Sequence, residues 1–201
     1  MNQSITTALA DSIAKRLFGR APASLTEPID DNMVLEKVRE GESEAFGILV
    51  SKYERYVFTI VKWIVESDDL AADVSQEVFL RAYRGIRRFE QRANFKTWLY
   101  KIAYNTALNS IKIKNQQRGD YLNFQRESAI CYSIDPALRM TLDKLIKALR
   151  PEYRTVIVLH YYGDMKYEEI AEIMGCPVNT VKIWLFQGKR KLRELWDRHA
   201  A

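Results

Sequence analysis

SDDLAADVSQEVFLRAYRGIRRFEQRANFKTWLYKIAYNTALN, running from Ser67 to Asn109, reads as two helices of opposite character joined by a short loop. Between Glu66 and Glu77 the charges are all acidic: Glu66, Asp68, Asp69, Asp73 and Glu77. From Arg81 to Arg118 the balance reverses, with Glu90 the only acid among many Lys and Arg. Ser67 caps the first helix, Asp68 and Asp69 lie in its first turn, and Arg81 and Arg84 lie near its end, all favourable for the helix dipole. Leu70, Val74, Val78 and Ala82 form its buried stripe, leaving Asp73, Gln76, Glu77 and Leu80 to the side. Gly85 ends it, and Phe89 to Asn94 reads as a loop. In the second helix, Phe95 to Lys114, the residues Phe95, Leu99, Ile102 and Thr106 share one face, and Lys101, Asn105, Leu108 and Lys112 share another. Phe89, Phe95, Trp98, Tyr100 and Tyr104 alternate with Arg87, Arg88, Arg92, Lys96 and Lys101. Cations neutralise phosphates and exposed rings stack on unpaired bases, so this mixture suits single-stranded nucleic acid. Phe95 and Trp98 are expected at the boundary between the buried and cationic faces.

Upstream, Asp30 or Asp31 caps a helix carrying Met33, Val34, Leu35 and Val38 that stops at Gly41. Ser43 is the expected cap of a long helix in which Phe46, Leu49, Val50, Tyr53, Val57, Ile60, Val61 and Ile64 repeat every three or four residues. Residues 1–29 form an N-terminal extension, a partly disordered tail in which Ile5, Leu9, Ile13 and Leu17 recur at helical spacing. Downstream, Asn115 to Asp135 is polar, without a sustained period, and reads as a flexible linker between two domains. Cys131 lies in it as a bystander thiol.

The second domain opens with the stripe Leu138, Leu142, Leu145 and Leu149, followed by Pro151 at a helix start. TVIVLHYY, Thr155 to Tyr162, has strand-like composition, but its helical neighbours and the bounding Pro151 and Gly163 argue for a buried helix. Lys166 to Leu195 fits a helix-turn-helix. Ile170, Ala171 and Met174 face inward, Gly175, Cys176 and Pro177 turn the chain, and Val181 and Leu185 pack the second helix back. Asn179 or Thr180 opens that helix, and Lys182, Gln187, Lys189, Arg190, Lys191 and Arg193 offer donors to DNA.

A chain of 201 residues with 47% hydrophobic residues suffices for two small cores, and its net charge of +5 matters through its concentration in two patches. Two cysteines and two histidines argue against a disulfide framework, a metal cage or a Cys/His nucleophile. No apolar run is long enough to span a membrane, and Asp11, Lys15 and Arg16 interrupt any signal-peptide core. No cofactor and no enzymatic chemistry are expected, and a cytoplasmic location is.

DVSQEVFLRAY (Asp73 to Tyr83), FEQRANFKTWLYKIAYNTALN (Phe89 to Asn109) and the helix-turn-helix block resemble the extracytoplasmic-function (ECF) sigma factors, the smallest group of the sigma-70 family. The resemblance implies an all-α protein of two small helical domains joined by a flexible linker, the C-terminal one containing the helix-turn-helix. Region 2 would span residues 30–114, the linker 115–135 and region 4 136–199. It also implies partners: core RNA polymerase, promoter DNA as duplex and as non-template single strand, and an anti-sigma factor. In such proteins the helix matching Asp73 to Tyr83 docks on the clamp of polymerase, which makes Asp73, Gln76, Glu77 and Leu80 the implied polymerase contacts. Phe89, Asn94, Phe95, Trp98, Lys101 and Asn105 match the elements that capture a flipped base of the minus-ten element. Asn179, Thr180, Lys182, Ile183, Trp184, Phe186, Gln187, Arg190 and Lys191 match those that read the minus-thirty-five element. Where many members carry serine and arginines, this chain has Ile183, Trp184 and Gln187; Gln pairs with adenine better than with guanine, so a shifted base preference is implied. Two other readings stand beside a promoter-directing sigma factor. One is a helix-turn-helix regulator working on duplex DNA without polymerase, and the other an RNA-binding protein using the basic aromatic patch.

Overall fold

In the computed structural model of the chain, the residues described are 30–90, 93–117 and 136–200, with side chains omitted at 115–117, 136–140 and 200. The expectations for residues 1–29, the linker 115–135, Cys131, Leu138 and the loop residues Gln91 and Arg92 fall wholly or largely outside them. Every regular element among the described residues is helical, and the helices belong to two compact units.

The first unit holds α1 (Asp31–Glu40), α2 (Phe46–Val65), α3 (Asp68–Gly85) and α4 (Phe95–Gln117). Asp30 caps α1 by accepting from the Asn32 amide at 3.0 Å. That leaves Asp31 to accept from Lys52 Nζ and from the Tyr53 hydroxyl, each at 2.6 Å, which fastens α1 to α2. Gly41 ends α1 in the left-handed conformation, φ 109°, where a side chain would be strained. Met33 does not join the buried stripe: it is 62% exposed, while Val34, Leu35 and Val38 fill the face toward α2. Ser43 is not a cap either. It opens a 3-10 turn, Ser43–Ala45, that runs straight into α2, so the long helix starts without a side-chain cap.

α2 and α3 meet at a tight corner. Glu66 takes a left-handed φ of 56°, unusual for a residue with a side chain, and its amide still reaches the Lys62 carbonyl at 2.9 Å. Ser67 Oγ accepts from the Leu70 amide at 3.4 Å, and Lys62 pairs with Asp68 at 2.8 Å across the bend. Beneath these surface ties, Leu49, Val57, Ile60, Val78, Ile86, Leu99, Tyr100 and Ala103 are almost completely buried, so α2, α3 and α4 all contribute to the core. α3 passes into a further 3-10 turn, Ile86–Arg88, and the Arg39 guanidinium of α1 donates to the Phe89 carbonyl at its end.

The second unit holds α5 (Pro136–Lys147), α6 (Pro151–Ile157), α7 (Tyr167–Met174) and α8 (Val178–Ala200). TVIVLHYY is helical, as its neighbours required, and continues from α6 into a wide π turn, Val158–Tyr162. Val156, Ile157, Val158 and Leu159 are buried in succession; burial on every side explains the unbroken apolar run that reads locally as strand. Gly175 ends α7 in the left-handed conformation, φ 65°, and the Cys176 amide bonds the Ala171 carbonyl at 3.1 Å, which forms the turn of the helix-turn-helix. Gly188 lets α8 lie close on α6: a Cβ there would come within 3.0 Å of Ile157 Cδ1 and 3.2 Å of Tyr153 Cβ.

Candidate nucleic-acid and protein interfaces

Three surfaces carry the residues singled out in the sequence. The first is the outer side of α3. Ala71, Val74, Ser75, Val78 and Ala82 face the core, which turns Asp73, Gln76, Glu77 and Leu80 outward as one stripe at helical spacing. Leu80 is 50% exposed, a large apolar side chain left in water among charges. Glu77 accepts from Arg81 Nε at 2.7 Å, and this bond holds its carboxyl below the usual range. Tyr83, not among the predicted contacts, extends the stripe one turn beyond Leu80: it is exposed, and its ring sits 5.2 Å from that of Phe46. Its place in the DVSQEVFLRAY block was the available signal.

The second surface is where α3 and α4 diverge. Arg81, Gly85, Arg88, Trp98, Ile102, Asn105 and Thr106 line an open cleft of about 400 Å³. Trp98 forms its floor, half-buried, with its ring against Gly85, where an added Cβ would come within 3.2 Å of the indole. Beneath Trp98 the aromatics are stacked as core: Phe89 at 4.8 Å and Phe95 at 5.8 Å between ring centroids, with Tyr53 a further 5.7 Å from Phe95. Phe89 and Phe95, expected at the minus-ten element, lie in the core instead of on the surface. They are 6% and 2% exposed, respectively, and serve as the bed on which Trp98 rests. Tyr100 is likewise buried. Asn94 is also committed locally, because its Oδ1 accepts from the Thr97 amide at 2.7 Å and caps α4. Asn105 is exposed on the same side as Trp98 and Lys101, one turn or two along the helix. The buried Thr106 hydroxyl has no hydrogen-bond partner among the described residues, an unspent polar group at the back of the cleft.

The third surface is α8. Val181, Leu185, Gly188 and Leu192 are buried against α6 and α7. Asn179, Lys182, Ile183, Phe186 and Arg190 are exposed, whereas Thr180, Trp184, Gln187 and Lys191 are half-buried at the sides. Gln187, Arg190 and Lys191 share a shallow cleft of about 220 Å³ with Arg150, Tyr153 and Glu194, and the Arg150 guanidinium lies 5.3 Å from the Tyr153 ring centroid. Pairs along the helix, Lys191 to Glu194 at 3.2 Å and Arg193 to Asp197 at 2.8 Å, hold part of the cationic side in place. Among the described residues no grouping of His, Cys, Asp and Glu suits a metal ion, and no helix is long and apolar enough to cross a membrane. Burial pushes the Cys176 thiol up, away from the reactive thiolate.

Residues 49–118 match the family model for sigma-70 region 2, and residues 139–192 that for sigma-70 region 4. The chain is also 32% identical over 182 residues to the ECF RNA polymerase sigma-E factor of Escherichia coli (strain K12), an alignment covering 84% of this chain and 95% of that one. It belongs to the ECF sigma factors. A second relative of this ECF sigma factor is the RNA polymerase sigma-H factor of Pseudomonas aeruginosa, 30% identical over 176 residues, covering 81% of this chain and 91% of the relative. Two solved structures share the fold. The sigma factor RpoE of Bartonella quintana, crystallised with the anti-sigma factor NepR, matches with a TM-score of 0.66 at 22% identity, covering 76% of this chain and 96% of that one. CnrH in complex with the cytosolic domain of CnrY matches at 0.62 and 20%, covering 84% and 97%.

Proposed function

We propose that this ECF sigma factor joins core RNA polymerase through the outer face of α3, holds the opened minus-ten strand in the cleft between α3 and α4, and reads the minus-thirty-five element with α8. The observation that carries the division is that the exposed Asp73, Leu80 and Tyr83 of α3 and the cationic, Trp98-floored cleft are different faces of one small unit, adjoining at the Glu77–Arg81 pair. Asp73, Gln76, Glu77 and Leu80, with Tyr83, form the polymerase face. Leu80 and Tyr83 supply the apolar centre that such a contact buries, and the acids supply orientation and encounter rate. In the cleft, Arg81 and Arg88 take phosphate, Trp98 stacks on a base, and the exposed Asn105 meets its edge. Phe89, Phe95 and Asn94 act there by holding Trp98 and the start of α4 in place.

Residues 30–114 and 136–199 are the two working domains, and the protein acts in the cytoplasm alongside polymerase. The bond-making chemistry belongs to polymerase. An anti-sigma factor, of the kind that the Bartonella relative is crystallised with, would silence the protein by covering the α3 stripe or α8. Run-off transcription from a bacterial genomic library with purified core polymerase tests the reading. Discrete protein-dependent starts sharing two upstream elements are expected. No starts, with duplex binding by the protein alone, would make it a helix-turn-helix regulator instead.

A further inference from the structure

The most outward line of α8 is not wholly polar. With Val181, Leu185, Gly188 and Leu192 buried, the opposite side of the helix is centred on Ile183, flanked by Asn179 one turn before and Arg190 two turns after. Ile183 is 58% exposed, and Phe186, one turn on, is 50% exposed. Both stand on a helix whose remaining outward side chains are largely charged. Lys182 and Arg190 bracket them, with Lys189, Lys191 and Arg193 farther round; the acids Glu194 and Asp197 come only in the later turns, where they pair with Arg190, Lys191 and Arg193. Two large apolar groups set inside a cationic surface call for a partner that is polyanionic at its edges and carries apolar groups between them. A second copy of the same helix meets it poorly, because around Ile183 and Phe186 themselves it brings Lys182 and Arg190 and no acid.

Duplex DNA meets it at one base. In the major groove only thymine offers a methyl group, whereas guanine and cytosine present hydrogen-bonding atoms that an aliphatic or phenyl side chain would strip of water without replacing it. The first turns of a recognition helix are those that reach base edges, and Ile183 lies in them. We propose that Ile183, with Phe186 beside it, reads thymine 5-methyl groups in the upstream promoter element, so that methyl content helps set promoter choice. This rests on the reading of α8 as the duplex-binding helix.

The test removes the methyl and nothing else. A binding selection is run with the full-length chain, both alone and with core polymerase. Each thymine of the selected upstream element is then replaced by deoxyuridine, and the affinities are compared by fluorescence anisotropy. The expected result is a loss of about fourfold per methyl met, the size that burying one such group gives. Ile183→Ser should bring the ratio to one at the thymine it faces, and Phe186→Ala should do so at the neighbouring one. The deoxyuridine comparison needs no variant, so it stands even if a substitution disturbs folding. Equal affinities for thymine and deoxyuridine, a selected element without thymine under α8, or an unchanged ratio in Ile183→Ser would each overturn the inference. If run-off transcription fails, the sigma reading falls, but the ratio measured with the chain alone still decides whether methyl groups are read. Self-association abolished by Ile183→Ser, together with a ratio of one, would assign the patch to a second copy.

Discussion

At the scale of single residues, neighbouring aromatics have opposite tasks. Phe95 is enclosed by Tyr53, Phe89 and Trp98, whereas Trp98 keeps part of its ring toward the cleft. Phe95→Ala should therefore cost about 3–5 kcal/mol of stability, visible in urea denaturation. Trp98→Ala should leave a folded protein that still binds polymerase but forms open complexes about tenfold less well, read by permanganate footprinting. Equal loss of polymerase binding in Trp98→Ala would refute that role. Which aromatics are core was not legible from spacing, because the line Phe95, Trp98, Lys101 crosses the helix face gradually and only the packing of Phe89 beneath it fixes the boundary. Gln187→Arg should shift the selected upstream base from adenine toward guanine in a binding selection. Tyr53 gives a pH test. Burial, and then its hydrogen bond to Asp31, raise its phenol pKa well above the ordinary value. The folded phenol thus stays protonated while the unfolded one ionises near pH 10, so its contribution is complete below about pH 10 and is lost as pH rises further. Urea denaturation at stepped pH should show a shallower alkaline loss in Tyr53→Phe than in the parent, by up to about 1.4 kcal/mol per pH unit.

At the scale of elements, α3 shows how far periodicity reaches. Its Val74, Val78 and Ala82 stripe, its Ser67 cap and its end at Gly85 could all be read from the chain, because each follows from local geometry. The same holds for Gly41, Pro151 and Gly175 at the ends of other helices, whereas the choice between Asp30 and Asp31 as the first cap was settled only by Asp31 turning to Lys52 and Tyr53. What could not be read was non-local. Ser43 yields to a 3-10 turn because the chain must bring Ala45 and Phe46 into the core, and Met33 is left outside because α2 covers only one side of α1. The outward stripe of α3 predicts a clean separation of effects. Asp73→Lys combined with Glu77→Lys should weaken polymerase binding by at least about tenfold in a pull-down or anisotropy titration. The melting temperature of the protein alone should hardly move, since both positions lie off the buried side and the Glu77–Arg81 pair is exposed.

At the scale of the whole molecule, the division into two helical units was legible because the polar run 115–135 separates two sets of periodic apolar stripes, each large enough for its own core. Fragments 30–117 and 136–200 should accordingly each give a cooperative melt by circular dichroism when produced alone; a fragment that stays unfolded would show that its core is incomplete. The function was legible in kind, since the motifs are long, but not in detail, since the cleft exists only once Gly85 of α3 meets Trp98 of α4. That meeting has a mechanical result. Leu80 and Gly85 are five residues apart on one continuous helix, about 7.5 Å along its axis. Whatever grips Leu80 grips a wall of the cleft through a stiff rod with no hinge between. On the proposed function, strand capture would thereby be indexed to the polymerase, and a change at either surface would be felt at the other.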